Sequence, residues 1–327
     1  MKLVIILSLF LVLYCLLSIS ILNNRLVCYN KHINYKNMLV WETSGTYKMF
    51  NPSIVKYKNE YLMCVRYSNR ILKNFLLWTN GCLFYKSYIC FVILSSNMDI
   101  KRVIFPHLEH KYLEDPRVHI HDDLIFVSVV EFNSNIDIYP VLYIFNNDFS
   151  LKKRIEFNRK MYFNKYPVQK NWCLFSNKKN MFIHTDSYPI WNVYKIDYNN
   201  GNLYKHISIN TSIFFKDSNE SIIRCSTSWK SFDKHNYICG LHTKSYVLHK
   251  LATIRTILVL INKKTLIPIK KTEVLCVDVK YDTRIQFLSG LETDKKNIYL
   301  TYGIGDYKVE IKRIPKYYIL SLFDSHS

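Results

Sequence analysis

Glu114-Asp115-Pro116-Arg117 puts two carboxylates and a guanidinium within four consecutive residues. Proline fixes its own φ and steers the residue before it toward extended backbone, so Asp115 is expected to be extended. Two positions apart on a strand, Asp115 and Arg117 would share a face. A guanidinium beside a carboxylate favours the ionised form, whereas burial favours the protonated form that a general acid requires. The motif therefore fits two roles equally: a structural Asp–Arg pair opening a strand, or a proton donor.

Lys170, His184, Arg224 and His242 lie far apart in the sequence and would add positive charge to a site if the fold gathered them. Such groups clamp phosphoryl oxygens, and each taken singly also fits a satisfied surface or core position. His119 and His121 alternate ahead of Asp122-Asp123, all metal-ligand residue types. The same pattern describes a strand running into a solvated turn; that reading is preferred, and no metal is expected. Thr301-Tyr302-Gly303-Ile304-Gly305-Asp306 has two glycines without the order of a dinucleotide-binding loop. It reads as the end of an inner strand that delivers Asp306 to the site. No cofactor is implied.

What would gather these residues is a repeat. Tyr, Phe, Ile and Val are abundant while glycine and proline number only 7 and 8, which favours strands. One unit recurs: a polar motif, a polar turn, then an apolar strand ending on a polar residue. The first copy opens at Asn51-Pro52-Ser53 and continues through Tyr61 to Arg66. The second opens at Glu114 and runs through Leu124 to Glu131, the third at Lys170-Asn171-Trp172 and through Met181 to His184. The fourth opens at Arg224 and continues through Tyr237 to His242, and the fifth opens at Gln286-Phe287 and continues through Ile298 to Asp306. The units recur at roughly 60 residues, room for four short strands each, the content of a propeller blade. The fold class is therefore all-β, a five-bladed β-propeller over residues 45–320, preceded by an N-terminal transmembrane helix.

Innermost strands of a propeller line a central channel, so their ends and the nearby loops meet at one mouth. That brings together Asn51, Arg66, Asp115, Arg117, Lys170, His184, Arg224, His242 and Asp306. Trp172, Tyr188, Trp191 and Trp229 are expected to rim the mouth. Polar groups bonding hydroxyls and aromatic faces covering C–H faces are the combination that a sugar needs.

Residues 3–22 form an almost unbroken apolar run. At 1.5 Å per residue it spans roughly 30 Å, enough to cross a bilayer. Residues 1–24 are read as an uncleaved signal-anchor in preference to a cleaved signal peptide, with 25–44 as a linker. The expected protein is single-pass, with a lumenal or extracellular propeller. The sequons Asn210-Thr211-Ser212 and Asn219-Glu220-Ser221 are compatible with that. Nine cysteines occur without a Cys-x-x-Cys pair, so structural zinc has little support; some could pair as disulfides, others read as small core residues. The formal charge of +20 comes from lysines dispersed along the chain. No nucleic-acid tract is seen, and an anionic substrate suits the charge equally.

At these motifs the chain resembles glycoside hydrolase family 130, with its β-mannoside phosphorylases, β-1,2-mannosidases and related β-mannosyltransferases. The resemblance runs in order over roughly residues 45–315, through Asn51-Pro52-Ser53 to Arg66, Glu114 to Arg117, Lys170-Asn171-Trp172, Arg224 to Trp229 with Gly240-Leu241-His242, and Phe287 to Asp306. It implies a propeller acting on β-mannosides or similar glycosides, with Asp115 as catalytic acid, directly or through a sugar hydroxyl. It implies substrate binding by Asn51, Arg66, Glu114, Arg117, Lys170, Asn171, His184, Arg224, His242, Gln286 and Asp306. Basic residues at positions like Lys170, Arg224 and His242 hold phosphate in the family's phosphorylases. Gln169 and Gln286 stand where relatives often carry glutamate, which disfavours water activation; Thr185 stands where phosphorylases tend to have arginine.

The expected function is therefore a carbohydrate-active enzyme that makes or breaks a β-glycosidic, mannoside-like bond, as a glycosyltransferase or phosphorylase. Its expected partners are a carbohydrate, phosphate or a nucleotide-sugar, and the membrane. The alternative is a catalytically silent propeller that binds glycan.

Overall fold

The structure, a computed structural model, describes residues 37–44, 46–69, 86–109, 112–132, 138–157, 170–216, 222–247, 251–273, 275 and 286–324. The apolar run 3–22, Gln169 and the Asn219 sequon lie outside them. No helix among the described residues is long and apolar enough to cross a membrane.

Five antiparallel sheets follow one another along the chain. The first blade is β2 (Lys48–Tyr57), β3 (Glu60–Ser68), β4 (Ser87–Leu94) and β5 (Ile100–Ile104). The second is β6 (Leu113–His121), β7 (Leu124–Phe132), β8 (Ile138–Phe145) and β9 (Leu151–Glu156). The third is β10 (Cys173–Ser176), β11 (Met181–Asp186), β12 (Ile190–Asp197) and β13 (Asn202–Asn210). The fourth orders β14 (Ile222–Cys225), β16 (Asn236–Val247), β17 (Leu251–Asn262) and β18 (Pro268–Lys271), with β15 (Lys230–Ser231) also on β16.

The fifth blade closes the ring. It runs from β19 (Gln286–Thr293) through β20 (Asn297–Ile304) and β21 (Lys308–Pro315) to β1 (Asn37–Glu42). β1 pairs antiparallel with β21, Trp41 opposite Val309 and Glu42 opposite Lys308. Part of the stretch expected to be a linker is thus the outermost strand of the last blade. An antiparallel partner covers the edge that β21 would otherwise expose. Helix α1 (Lys316–Asp324) follows β21 and packs Ile319 and Phe323 into the core of the fourth and fifth blades.

The repeat read from sequence is the real one. The second strands β3, β7, β11, β16 and β20 begin within one residue of the expected Tyr61, Leu124, Met181, Tyr237 and Ile298. Thr301 to Ile304, however, belong to β20, the second strand outward, and not to an innermost one. Strand faces alternate, so each blade buries side chains on both sides against its neighbours. Phe126, Leu142 and Ile144 of the second blade meet Leu174, Ile183 and Ile196 of the third in one apolar layer. Each such side chain contributes about 1.5–3 kcal/mol when fully buried.

Hydroxyls stitch the blades together near the axis. Ser53 Oγ accepts from Val118 N at 2.9 Å, and Ser128 Oγ donates to Trp172 O at 2.6 Å. Ser289 Oγ donates to Pro52 O at 2.8 Å, joining the last blade to the first. Gly290 sits in that seam: a Cβ there would lie 2.7 Å from Ile54 N and 2.9 Å from Pro52 O.

The five described cysteines, Cys64, Cys90, Cys173, Cys225 and Cys239, are free and buried. They are small packing residues, as their apolar neighbours in sequence suggest.

Candidate active site

The innermost strands of the first two blades share one irregularity. Register slips between Phe50 and Ser53 in β2, and between Glu114 and Arg117 in β6. Asn51 and Asp115 occupy these bulges with φ of 51° and 50°. Asn171, just ahead of β10 in the third blade, has φ 64°. Left-handed backbone disfavours most side chains and is tolerated best by Asn and Asp. The extended conformation expected for Asp115 is thus corrected: the bulge overrides the preference set by Pro116, because it turns the Asp115 side chain toward the first blade.

There Asn51 Nδ2 donates to Asp115 Oδ1 at 2.8 Å, and Arg66 Nη1 lies 3.8 Å from the same oxygen. Arg66 is buried against the Phe50 ring, 4.8 Å to the centroid. Its Nη2 donates to Glu114 Oε1, and its Nε donates to Ser87 Oγ at 2.9 Å. Lys170 Nζ reaches Glu114 Oε2 at 3.1 Å and stands 4.6 Å over the Phe132 ring. Glu114 is therefore occupied by two cations and is 4% exposed, whereas the Asp115 side chain keeps 13% exposure. Of the two adjacent carboxylates, Asp115 is the more exposed.

Arg117 does not pair with Asp115. It is fully buried, donating from Nη1 to Pro116 O at 2.9 Å and from Nη2 to Asn171 Oδ1 at 3.2 Å. Its guanidinium lies 5.3 Å from the Phe287 ring, and its Nε has no partner. His242 also meets the Phe287 ring, edge-on with 4.9 Å between ring centroids. Burial, then the charges of Arg224, Arg117 and Lys244, hold His242 well below the ordinary histidine range, so its imidazole is neutral. Ser226 Oγ donates its one proton to Leu288 O, so at 3.2 Å it accepts from His242 Nδ1. Arg224 faces His242 across the β14–β16 pair. Among the described residues no carboxylate pairs with Arg117 or Arg224. A buried guanidinium without a counter-charge is costly, and an anion is what lowers that cost.

Two networks result, adjoining through the chain at Asp115 to Arg117 and at Lys170–Asn171. One joins Asn51, Arg66, Glu114, Asp115 and Lys170, and the other joins Arg117, Asn171, Arg224 and His242. Gln286 opens β19 opposite Ile304, and Asp306 sits in the turn after β20 with φ 59°, both at the mouth end of the fifth blade. Sequence reasoning passed over Phe50, Phe132 and Ser87, whose apolar or small character carries no signal of chemistry.

Three expectations fail. His184 is fully buried, with Nδ1 3.1 Å from Cys225 Sγ and accepting from Trp229 Nε1 at 3.2 Å. Its ring packs 4.0 Å from Trp191, and burial lowers its pKa to about 3. It is a core histidine. Trp172, Trp191 and Trp229 are buried at 2%, 0% and 2% and fill blade interfaces, leaving Tyr188 as the half-exposed member of that set. The pair Asp115–Arg117 is replaced by Asp115–Arg66, because the bulge puts the two motif residues on different partners. His119 and His121 lie in β6, with Asp122 and Asp123 in the following turn.

No family model matches the chain, and no curated protein sequence matches it. Solved structures do. One comes from the GH130 family of mannoside phosphorylases, which contains glycoside hydrolases that target beta-1,2 mannosidic linkages in Candida mannan; it is 12% identical, covers 86% of this chain and 92% of its own, and has a TM-score of 0.61. The beta-1,2-mannobiose phosphorylase from Listeria innocua, in complex with beta-1,2-mannobiose, is 12% identical over 89% of this chain and 98% of its own, at 0.61. A mannose phosphorylase from Leishmania mexicana, in complex with phosphate ion, is 11% identical over 89% and 91%, at 0.56. The likeness extends across the whole propeller and establishes a common fold.

Proposed function

We propose that the chain is a carbohydrate-active enzyme that makes or breaks β-mannoside-like bonds by transfer to or from phosphate. The observation that carries this reading is a partly exposed, immobilised carboxylate in the same motif as a cationic group that has no carboxylate partner among the described residues. Asp115, held by Asn51 and Arg66, lies two residues before Arg117, and the charges of Arg117 and Arg224 both act on neutral His242. In the breaking direction a phosphate oxygen attacks the anomeric carbon and the glycosidic C–O bond breaks. The proton from Asp115, directly or through a sugar hydroxyl, goes to the leaving oxygen. Arg224, the half-buried guanidinium of the two, holds the phosphate charge, buried Arg117 adds its positive field behind it, and His242 Nε2, unprotonated in this tautomer, accepts a hydrogen bond from a hydroxyl. The shared fold with mannoside phosphorylases, one in complex with phosphate, supports the substrate class.

The test is to incubate the protein with mannose 1-phosphate or a nucleotide-mannose and a mannoside acceptor, and in reverse with β-1,2-mannobiose and phosphate. Product that disappears in Asp115→Asn is expected. No product with any donor in either direction would sink the proposal.

One observation favours a second reading. Gln286 opens the fifth inner strand where the related proteins often carry glutamate, and glutamine is a poor base. A silent, glycan-binding propeller would bind mannosides equally well with Asp115→Asn and never turn them over. We further propose that residues 3–22 anchor the chain in a membrane with the propeller on the lumenal or extracellular side. The exposed sequon residue Asn210 at the end of β13 is consistent with that side.

A further inference from the structure

A second cavity opens on the mouth face, away from the site above. It encloses about 370 Å³ and is lined by Trp41, Tyr47, Tyr67 and Phe105, with Glu42 and Thr43 among its polar groups. Topology places it. β1 and β5 both run toward the mouth, so Trp41, Glu42 and Phe105 lie at mouth-side strand ends, and Tyr47 directly precedes β2.

The aromatics are arranged with faces and edges available. Tyr47 stacks on Tyr67 at 4.9 Å, and Phe105 meets Tyr67 edge-on at 5.3 Å. Phe105 is 56% exposed, so its ring is open to a ligand. Tyr67 neighbours Arg66 on β3 and points to the opposite face of the blade, so the cavity and the Asp115 network share one strand end.

Aromatic walls suit two ligand chemistries: a sugar ring, whose C–H faces lie on aromatic faces, and an organic cation. Charge separates them. The one carboxylate of the lining, Glu42, lies 3.6 Å from Lys48 Nζ, and Lys48 also donates to Thr43 O. An ammonium already sits at the carboxylate, so the cavity offers a cation no uncancelled negative charge. A neutral ring finds aromatic faces together with carbonyl, hydroxyl and carboxylate acceptors.

We propose that this cavity is a second carbohydrate-binding site, which holds a neutral sugar residue of a glycan whose reacting end occupies the Asp115 pocket. The inference rests on the proposed function for the identity of the glycan but on the cavity alone for the ligand class. The expected consequence is an affinity that rises with glycan length.

The experiment measures binding of β-1,2-mannobiose and β-1,2-mannohexaose to the full-length protein by calorimetry, for wild type, Phe105→Ala and Trp41→Ala. Phe105 is exposed enough for its replacement to fold, so that variant keeps the test valid if Trp41→Ala does not. Hexaose affinity at least tenfold lower in Phe105→Ala, with mannobiose affinity and turnover unchanged, is the expected result. Hexaose affinity unchanged in both variants overturns the second site and leaves the proposed function standing. Hexaose binding that depends on Phe105 without any mannobiose binding or turnover supports the second site and sinks the proposed function. Binding of choline in place of either sugar overturns the assignment to carbohydrate.

Discussion

Asn51 Nδ2 donates a 2.8 Å hydrogen bond to Asp115 Oδ1 across 64 residues of sequence, and both residues hold left-handed backbone at φ 51° and 50°. Two strained positions in adjacent blades are thus locked by each other's side chains. Strain of this kind costs on the order of 1–3 kcal/mol per residue and persists where the surroundings over-determine it. The bond fixes the Asp115 carboxylate, the more exposed of the two in its motif. Asn51→Ala is expected to lower kcat on the order of 10²-fold, toward the loss expected for Asp115→Asn, while mannobiose affinity changes less. Steady-state kinetics with mannobiose and phosphate check it, and a loss confined to KM would remove Asn51 from the positioning of Asp115.

Gly303 lies directly behind this pair. A Cβ there would stand 2.0 Å from Asn51 Oδ1 and 2.7 Å from Asn51 N. Backbone cannot retreat as a flexible side chain can. Gly303→Ala is expected to cut turnover as severely as Asn51→Ala and to lower the thermal midpoint. A variant with wild-type kinetics would mean that the first and fifth blades separate more easily than their packing implies.

The buried pair Arg66–Glu114 makes a stability prediction. Removing one partner leaves an uncompensated charge, and Arg66→Met is expected to cost about 3–5 kcal/mol in urea unfolding. Combining it with Glu114→Gln should recover part of that loss. The double variant should still lack activity, since Asp115 would lose its Arg66 neighbour.

Acid should destabilise the fold through its buried histidines. Burial pushes His119, His184 and His242 below the ordinary value of 6.5, His184 to about 3. Between those limits the unfolded chain binds protons that the native chain refuses. Their effect on stability is nil above the unfolded pKa and grows more unfavourable as pH falls from about 6.5 toward the folded values. Each histidine contributes a slope of up to about 1.4 kcal/mol per pH unit in that window. Denaturation midpoints at pH 7.5, 6.0 and 5.0 should fall in order, and His184→Gln should flatten the decline.

Closure by β1 predicts a boundary. A chain that begins after Glu42 leaves β21 with an unpaired edge and uncovers the apolar layer that Trp41 and Leu39 help to seal. Such an edge is a template for association. Light scattering should show oligomers of that truncation, and a chain beginning just before Asn37 should remain monodisperse at equal concentration.

The sequence by itself determined the repeat. Alternating apolar residues and polar turns are local signals, so five units and the starts of their second strands are legible without coordinates. It also drew out Asp115, because Asp-Pro-Arg at a unit start sets a carboxylate near a guanidinium, an arrangement that serves a structural pair and an acid equally. Tertiary structure decided the rest. It made Arg66 rather than Arg117 the partner of Asp115, since a bulge of one position changes which neighbour a side chain meets. It sent His184 and three tryptophans into the core, since histidine and tryptophan carry both polar and apolar surface, and only packing says which of the two prevails. It turned residues 37–42 from linker to strand, since β1 has no partner until the last blade returns beside it.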